Sequence, residues 1–159
     1  MTDFKVALTF GRFNLLHVGH VDLFRQMSAA APEIIIGVSS HEKNLPFRDR
    51  TKVITQVLEK DEKIVSPYQV LSKRQPFELA SELLMYKPED CIFYLGQDQF
   101  ELAKALERTW GVATRLIPRL TSSTTVRALI DAEEWSALST IVPMTVLNKV
   151  VQMHLDSHA

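Results

Sequence analysis

The sequence predicts an α/β fold built on a parallel sheet, and three observations carry that expectation. Short β-branched or apolar runs alternate with amphipathic stretches in the order βαβα(β)αβαβαα. Ile34-Ile35-Ile36-Gly37-Val38 and Cys91-Ile92-Phe93-Tyr94-Leu95 are apolar throughout, as strands covered on both faces are. The connecting stretches are long enough for crossovers, and right-handed crossovers between parallel strands leave few arrangements. Together these point to a doubly wound, Rossmann-like parallel sheet with helices on both faces and further helices at the C-terminus. With 159 residues the expectation is a single domain, 1–159, with a core of its own.

Val6-Ala7-Leu8-Thr9-Phe10 is the first expected strand. Val21, Leu23, Phe24 and Met27 then form a helical stripe that opens at Val18 or Gly19 and stops before Pro32. After the strand at Ile34, a polar loop from Ser39 to Asp49 precedes a helix from about Arg50 to Lys60. Ile64-Val65 reads as a short strand and Tyr68 to Leu71 as another. Pro76 suits the first position of a helix running to Tyr86, which Lys87-Pro88 breaks. The strand at Cys91 ends in Gly96-Gln97-Asp98, and the helix after it stops at Gly111. Val112 to Ile117 is a strand, and a helix runs from Ser123 to about Ala132. Pro143 opens a last helix on which Val146, Leu147, Val150, Val151 and Leu155 share a face; that face completes the core or meets another subunit.

Composition narrows the class. Hydrophobic residues make up 46% and charged residues 23%, with a net charge of -1, so no general attraction to nucleic acid or to a membrane surface is expected. Cys91 is the only cysteine and opens an apolar run, which suits a packed thiol in a reducing compartment. The N-terminal residues lack the apolar centre of a secretory leader, and no run approaches the length of a membrane span, so a cytoplasmic location is expected.

Polar segments that follow strands collect at one edge of such a sheet. Here these are Gly11 to His20, Ser39 to Arg50, Gly96 to Asp98 and Pro118 to Arg127. The stretch Phe10-Gly11-Arg12-Phe13-Asn14-Leu15-Leu16-His17-Val18-Gly19-His20 has the layout in which backbone N–H groups face an anion at a helix N-terminus. His17 and His20, three apart, can lie on one side of that helix start. By themselves they fit a helix cap with a packed histidine, or handles for a polyphosphate. No Cys, Asp or Glu is near enough in sequence to complete a metal site, so no protein metal ligand is expected. The glycine spacing is not that of a P-loop or a dinucleotide fingerprint. Ser122, Ser123 and Thr124 fit helix capping and phosphate binding together, and Arg127, one turn in, could reach the same phosphates with its planar fork or be solvated. Lys43, Arg48, Arg50 and Arg119 fit either a solvated surface or a phosphate contact at a strand exit. Asp98 fits a helix N-cap or a nucleotide contact. Trp110, Trp135, Asp131, Glu133 and Glu134 read as packing and solvated surface.

Residues 17–20, His-Val-Gly-His, resemble the HxGH signature of the nucleotidyltransferase superfamily, and Thr121-Ser122-Ser123-Thr124-Thr125-Val126-Arg127 resembles its Ser-Ser-Thr-x-x-Arg signature. The two occur in the family's order and span most of the chain. Gly11-Arg12-Phe13 is more similar to nicotinamide mononucleotide adenylyltransferases than to the Gly-Thr-Phe-Asp of cytidylyltransferases and pantetheine-phosphate adenylyltransferases. Thr121 departs from the family's usual isoleucine, and neither tryptophan lies where an aromatic would stack on nicotinamide.

The resemblance implies transfer of a nucleoside monophosphate, AMP from ATP, to a small phosphomonoester such as nicotinamide mononucleotide, with loss of pyrophosphate. It further implies that His17 and His20 stabilise the α- and β-phosphates while Ser122, Ser123, Thr124 and Arg127 hold the β- and γ-phosphates. Phe10, Gly11, Arg12, Phe13, Gly19, Lys43, Gly96, Asp98 and Arg119 would complete the nucleotide site. Mg²⁺ would arrive with the nucleoside triphosphate. Family habit also implies a homo-oligomer. A cytidylyltransferase using CTP and a phosphorylated alcohol, or a nucleotide-binding module without turnover, are the alternatives; intact His17, His20 and Arg127 speak against the last.

Overall fold

The computed structural model describes residues 3–40, 46–118 and 123–157. Its centre is a five-stranded sheet, parallel throughout, in the order β3-β2-β1-β4-β5. The strands are β1 (Val6–Gly11), β2 (Glu33–Ser39), β3 (Tyr68–Lys73), β4 (Cys91–Gly96) and β5 (Ala113–Ile117). From β1 the chain builds outward through β2 and β3, then crosses back over β1 to place β4 on its other side. The expected doubly wound arrangement is therefore the observed one, and its switch point lies between the carboxyl ends of β1 and β4.

Strand side chains alternate between two apolar layers. Ala7, Ile34, Ile36, Ile92 and Tyr94 join one core with Phe24 and Met27 of α1 (Val18–Ala30), and Val53, Ile54 and Leu58 of α2 (Phe47–Lys60). Val126 of α5 (Ser123–Asp131), Leu138 of α6 (Trp135–Leu138), and Val146 and Val150 of α7 (Met144–Ser157) close the same layer. Val6, Leu8, Ile35, Cys91, Phe93 and Leu95 face the other layer, against Leu79 of α3 (Pro76–Ala80), and Ala103 and Leu106 of α4 (Phe100–Trp110). This two-sided burial is why the central strands read as unbroken apolar runs.

Several boundaries differ from expectation. α2 begins at Phe47 rather than near Arg50, because Pro46 sits at its N-cap with φ -57° and Phe47 packs against the core. The stretch Ile64-Val65 is not a strand. Ile64 is buried, Val65 is exposed, and the Val65 N–H donates to Ser28 Oγ instead of to a neighbouring strand. The helix from Pro76 ends at Ala80 and tightens to 3₁₀ geometry over Ser81–Met85. The short α6 went unpredicted. On α7 the apolar face does complete the core through Val146 and Val150, but Leu155, expected on that face, is exposed.

Candidate active site

β1 and β4 are tied where they end. They pair as far as Thr9 and Tyr94, and the buried Thr9 Oγ1 donates to the Tyr94 carbonyl at 2.9 Å. Beyond that point the strands diverge around a cleft of about 480 Å³, within the usual size range of small-molecule sites. His17, His20 and Arg127 all line it, together with Phe10, Gly11, Arg12, Phe13, Gly19, Gly96 and Asp98. The two sequence segments a hundred residues apart thus meet in one cavity. Thr124 is exposed in the first turn of α5, outside the cleft lining, and Ser123 is the first residue of that helix. Lys43, Arg119 and Ser122 lie outside the described residues. Thr9, Asn14, Leu23, Leu95, Gln99, Ile117 and Pro118 line the cleft and were not anticipated. Gln99 was the most legible of these, one residue beyond Asp98 on the same strand exit.

The two histidines close the start of α1 by a reciprocal pair of bonds. Gly19 N–H donates to His17 Nδ1 at 3.1 Å, and His17 N–H donates to His20 Nδ1 at 3.2 Å. Their rings stack, with centroids 3.8 Å apart and planes 18° from parallel. Helix capping is therefore a real part of their role, and the capping bonds use Nδ1 of each ring. A neutral imidazole whose Nδ1 accepts must carry its hydrogen on Nε2, which makes Nε2–H a donor of the kind phosphate oxygens accept.

This corrects the expectation that bare backbone amides of α1 face an anion. The Val18 N–H donates to the Ile141 carbonyl at 2.8 Å, and the His20 and Val21 N–H groups go to the His17 carbonyl at 3.0 and 3.2 Å. The amides of the first turn are thus already bonded, by His17 and by the Ile141 carbonyl, and the two imidazoles rather than the amides are what α1 brings to the cleft lining.

The wall between Gly11 and His17 is held under tension. Phe13 has φ 47°, the left-handed region that costs a non-glycine residue of order 1–3 kcal/mol. That conformation lays its ring under Gly11. A Cβ at Gly11 would stand 3.2 Å from the ring atoms Cε2 and Cζ, so any larger residue there must push the ring aside by a few tenths of an ångström. The same ring meets His20 edge-on at 5.1 Å and Phe24 at 5.6 Å.

Of the two readings open for Arg50, a solvated surface or a phosphate contact, burial removes the first. The residue is 1% exposed, and its guanidinium donates to the Arg12 carbonyl at 2.6 Å and the Ser39 carbonyl at 2.9 Å. A signal for this existed: Arg50 lies three and four residues before Val53 and Ile54, on the buried face of α2.

In charge the cleft favours anions. Arg12 from the β1 exit and Arg127 from α5 are exposed at its walls, and Asp98 is the one carboxylate among the described lining residues. Among the described residues no cluster of three His, Cys, Asp or Glu side chains could hold a metal ion, and no helix is long and apolar enough to cross a membrane.

Comparison with known proteins bears on the family and the fold. A family profile described as cytidylyltransferase-like matches residues 8–142. Ethanolamine-phosphate cytidylyltransferase of Arabidopsis thaliana is 26% identical over 147 residues, covering 80% of this chain; the chain matches only 35% of that protein's length. Among solved structures, a Vibrio parahaemolyticus protein assigned as a nicotinate-nucleotide adenylyltransferase superposes with a TM-score of 0.70 at 20% identity, over 96% of this chain and 94% of its own. Plasmodium falciparum nicotinic acid mononucleotide adenylyltransferase, in complex with NaAD, gives 0.69 at 12% identity, over 96% and 97%. These structural likenesses concern the fold. The profile match spans most of the chain, from within β1 to the turn before α7. The chain belongs to the cytidylyltransferase-like family, within the nucleotidyltransferase superfamily.

Proposed function

We propose that this protein transfers AMP from ATP to a small phosphomonoester, with nicotinamide mononucleotide the first acceptor to test, and releases pyrophosphate. The observation that carries the reading is the meeting of His17, His20 and Arg127 in one cleft at the switch point of the sheet.

The chemistry asks little of a general base. A phosphomonoester is already anionic at neutral pH and attacks the α-phosphate in line. The P–O bond to the β-phosphate breaks, and pyrophosphate leaves with more negative charge than it had in the triphosphate. Catalysis then rests on alignment and on donors aimed at that growing charge. His17 and His20 act through Nε2–H on the α- and β-phosphates. Arg127 holds the departing end with its planar fork, a task that Ser122 and Ser123 of the same signature share in this reading, whereas Thr124 stands outside the cleft lining. Gly11 lets the backbone come close to the nucleotide, and Gly96 and Asp98 form the opposite wall. One well-aimed donor of this sort is worth ~3–4 kcal/mol in the transition state. Mg²⁺ would come with the triphosphate and would neutralise part of the phosphate charge there.

A second reading, cytidylyl transfer from CTP to a phosphorylated alcohol, is favoured by one observation: the sequence relative is an ethanolamine-phosphate cytidylyltransferase. Pyrophosphate release measured for ATP and CTP against nicotinamide mononucleotide and phosphoethanolamine separates the two. Turnover confined to ATP with the mononucleotide is expected. Turnover confined to CTP would replace the first reading with the second. Tight nucleotide binding with no release from any pair would leave a binding module.

A further inference from the structure

We propose that Arg50 and Phe13 are positioning residues for His20, linked through the Arg12 carbonyl. Each step of the link is a contact in the structure. The buried Arg50 fork holds two carbonyl oxygens at once, Ser39 at the end of β2 and Arg12 just past the end of β1. Two hydrogens of the buried fork are bonded in this way, and the two bonds fix backbone on both sides of the crossover.

The Arg12 carbonyl belongs to the peptide unit that leads into Phe13. Holding that oxygen fixes the plane from which the Phe13 φ of 47° is turned, so the left-handed conformation is held from outside the loop. Left to itself, the backbone at a phenylalanine would relax to negative φ and swing the ring away. Held as it is, the ring sits edge-on to His20 at 5.1 Å and 70°. The other face of the arrangement is His17, stacked on His20 at 3.8 Å, with the His17 N–H on His20 Nδ1. An edge, a face and a hydrogen bond leave the imidazole a single orientation and a single neutral tautomer. Neither Arg50 nor Phe13 needs to touch the reacting atoms; they act by keeping His20 aimed.

The activity arm of the test rests on the nucleotidyl-transfer reading, whereas the spectroscopic arm does not. Phe13→Leu keeps apolar volume but removes the flat edge, and Arg50→Met keeps length but removes the fork. Arg50→Lys restores the charge with a point donor. Long-range ¹H–¹⁵N spectra of the histidine rings report the His20 tautomer directly. The wild type is expected to show one tautomer, with hydrogen on Nε2, and both Phe13→Leu and Arg50→Met to show averaging between tautomers. Turnover should fall about 10- to 100-fold in each, and in Arg50→Met, whose side chain is not part of the cleft lining, KM for the nucleotide should stay within about twofold, the signature of lost aim rather than lost binding. Arg50→Lys should recover only part of the loss. The double variant should be no worse than the poorer single variant, because the two act in series. An unchanged His20 tautomer in Phe13→Leu would overturn the proposal, even if melting temperature fell. So would full activity per folded molecule in either single variant. If no nucleotide–acceptor pair is turned over by the wild type, the transfer reading fails by itself, and the ring spectra still decide this one.

Discussion

At the end of β1 the chain runs through residues 12–17 before α1 begins, whereas at the end of β4 it turns within residues 97–99 into α4. Both walls of the cleft nonetheless use one local device, a side chain that turns back onto the backbone N–H three positions earlier. On the first wall His20 Nδ1 accepts from His17 N–H at 3.2 Å, and on the second Gln99 Oε1 accepts from Gly96 N–H at 3.3 Å. The difference lies in what surrounds the cap. His20 is stacked on His17 and edged by Phe13, while the Gln99 carboxamide belongs to a short 3₁₀ turn and shows no ring contact. The same cap bond on both walls cannot by itself tell the proposed reacting group from a structural one; only His20 also carries ring contacts on two sides.

The sharpest break in the comparison comes from truncating both caps. His20→Ala should lower turnover about 10²–10³-fold while the nucleotide dissociation constant moves within about twofold, since the donor counts most where charge develops. Gln99→Ala should leave turnover within about threefold. Steady-state kinetics beside calorimetric binding would show the contrast. Equal losses on the two walls would mean that both caps are merely structural or both chemical.

Next in size is Gly11→Ala. The new Cβ would stand 3.2 Å from two Phe13 ring atoms, and that ring is backed by Phe24 at 5.6 Å, so it has little room to retreat. Overpacking of this kind costs about 1–3 kcal/mol, and the displaced ring should carry His20 with it, lowering turnover by about tenfold. Urea titration and kinetics together check it. A variant with wild-type stability and rate would show the first wall to be softer than its contacts suggest.

Much of this was legible in the sequence because a parallel sheet gathers all its strand exits at one edge, so Gly11, His17, His20, Gly96 and Arg127 could be brought together without coordinates. The apolar runs at Ile34 and Cys91 gave away strands buried on both faces. What stayed hidden were choices that local pattern does not encode. The α1 amides looked like anion donors, yet Ile141, far along the chain, supplies the carbonyl that occupies the Val18 N–H. Nothing in Phe13 hints at a positive φ; Asn14 beside it is the residue type that tolerates one more readily. Ile64 and Val65 have strand propensity, but two serines, Ser28 and Ser66, bond each other and the nearby backbone, and so pin that segment as a loop. Arg50 was hidden by composition: among Arg48, Asp49 and Lys52 it looks solvated, and only its spacing from Val53 and Ile54 betrays it.

A smaller effect is expected for the second wall taken alone. Gln99→Ala leaves the Gly96 N–H without its side-chain acceptor, which should cost ~1 kcal/mol of stability. Because Gly96 is partly exposed, water can take over part of that bond, which sets the figure as an upper bound. Thermal melts of the variant against wild type would show it. A loss several times larger would mean that the second wall is as heavily braced as the first.

The smallest effect on turnover is expected at the opposite end of β4, away from the cleft. Cys91 is fully buried, and burial, with Asp90 and Glu89 nearby, pushes its thiol from an ordinary value near 9 up to about 11. The native state therefore holds this proton more tightly than the unfolded chain does. The resulting stability is complete below pH 9 and is lost as pH rises from 9 to 11, with a slope of at most about 1.4 kcal/mol per pH unit for one proton. Tyr86, held by its hydrogen bond to Glu33 and raised from 10 to about 12, adds a loss of the same sign at still higher pH. Cys91→Ala should flatten the lower part of that decline and leave the upper part in place, which unfolding titrations at pH 8, 10 and 11 would resolve. Since this thiol lies at the amino end of the strand, turnover at neutral pH should be indifferent to the same substitution. A marked change in rate would show that the two ends of β4 are coupled, and that the second wall is braced through its strand rather than through its turn.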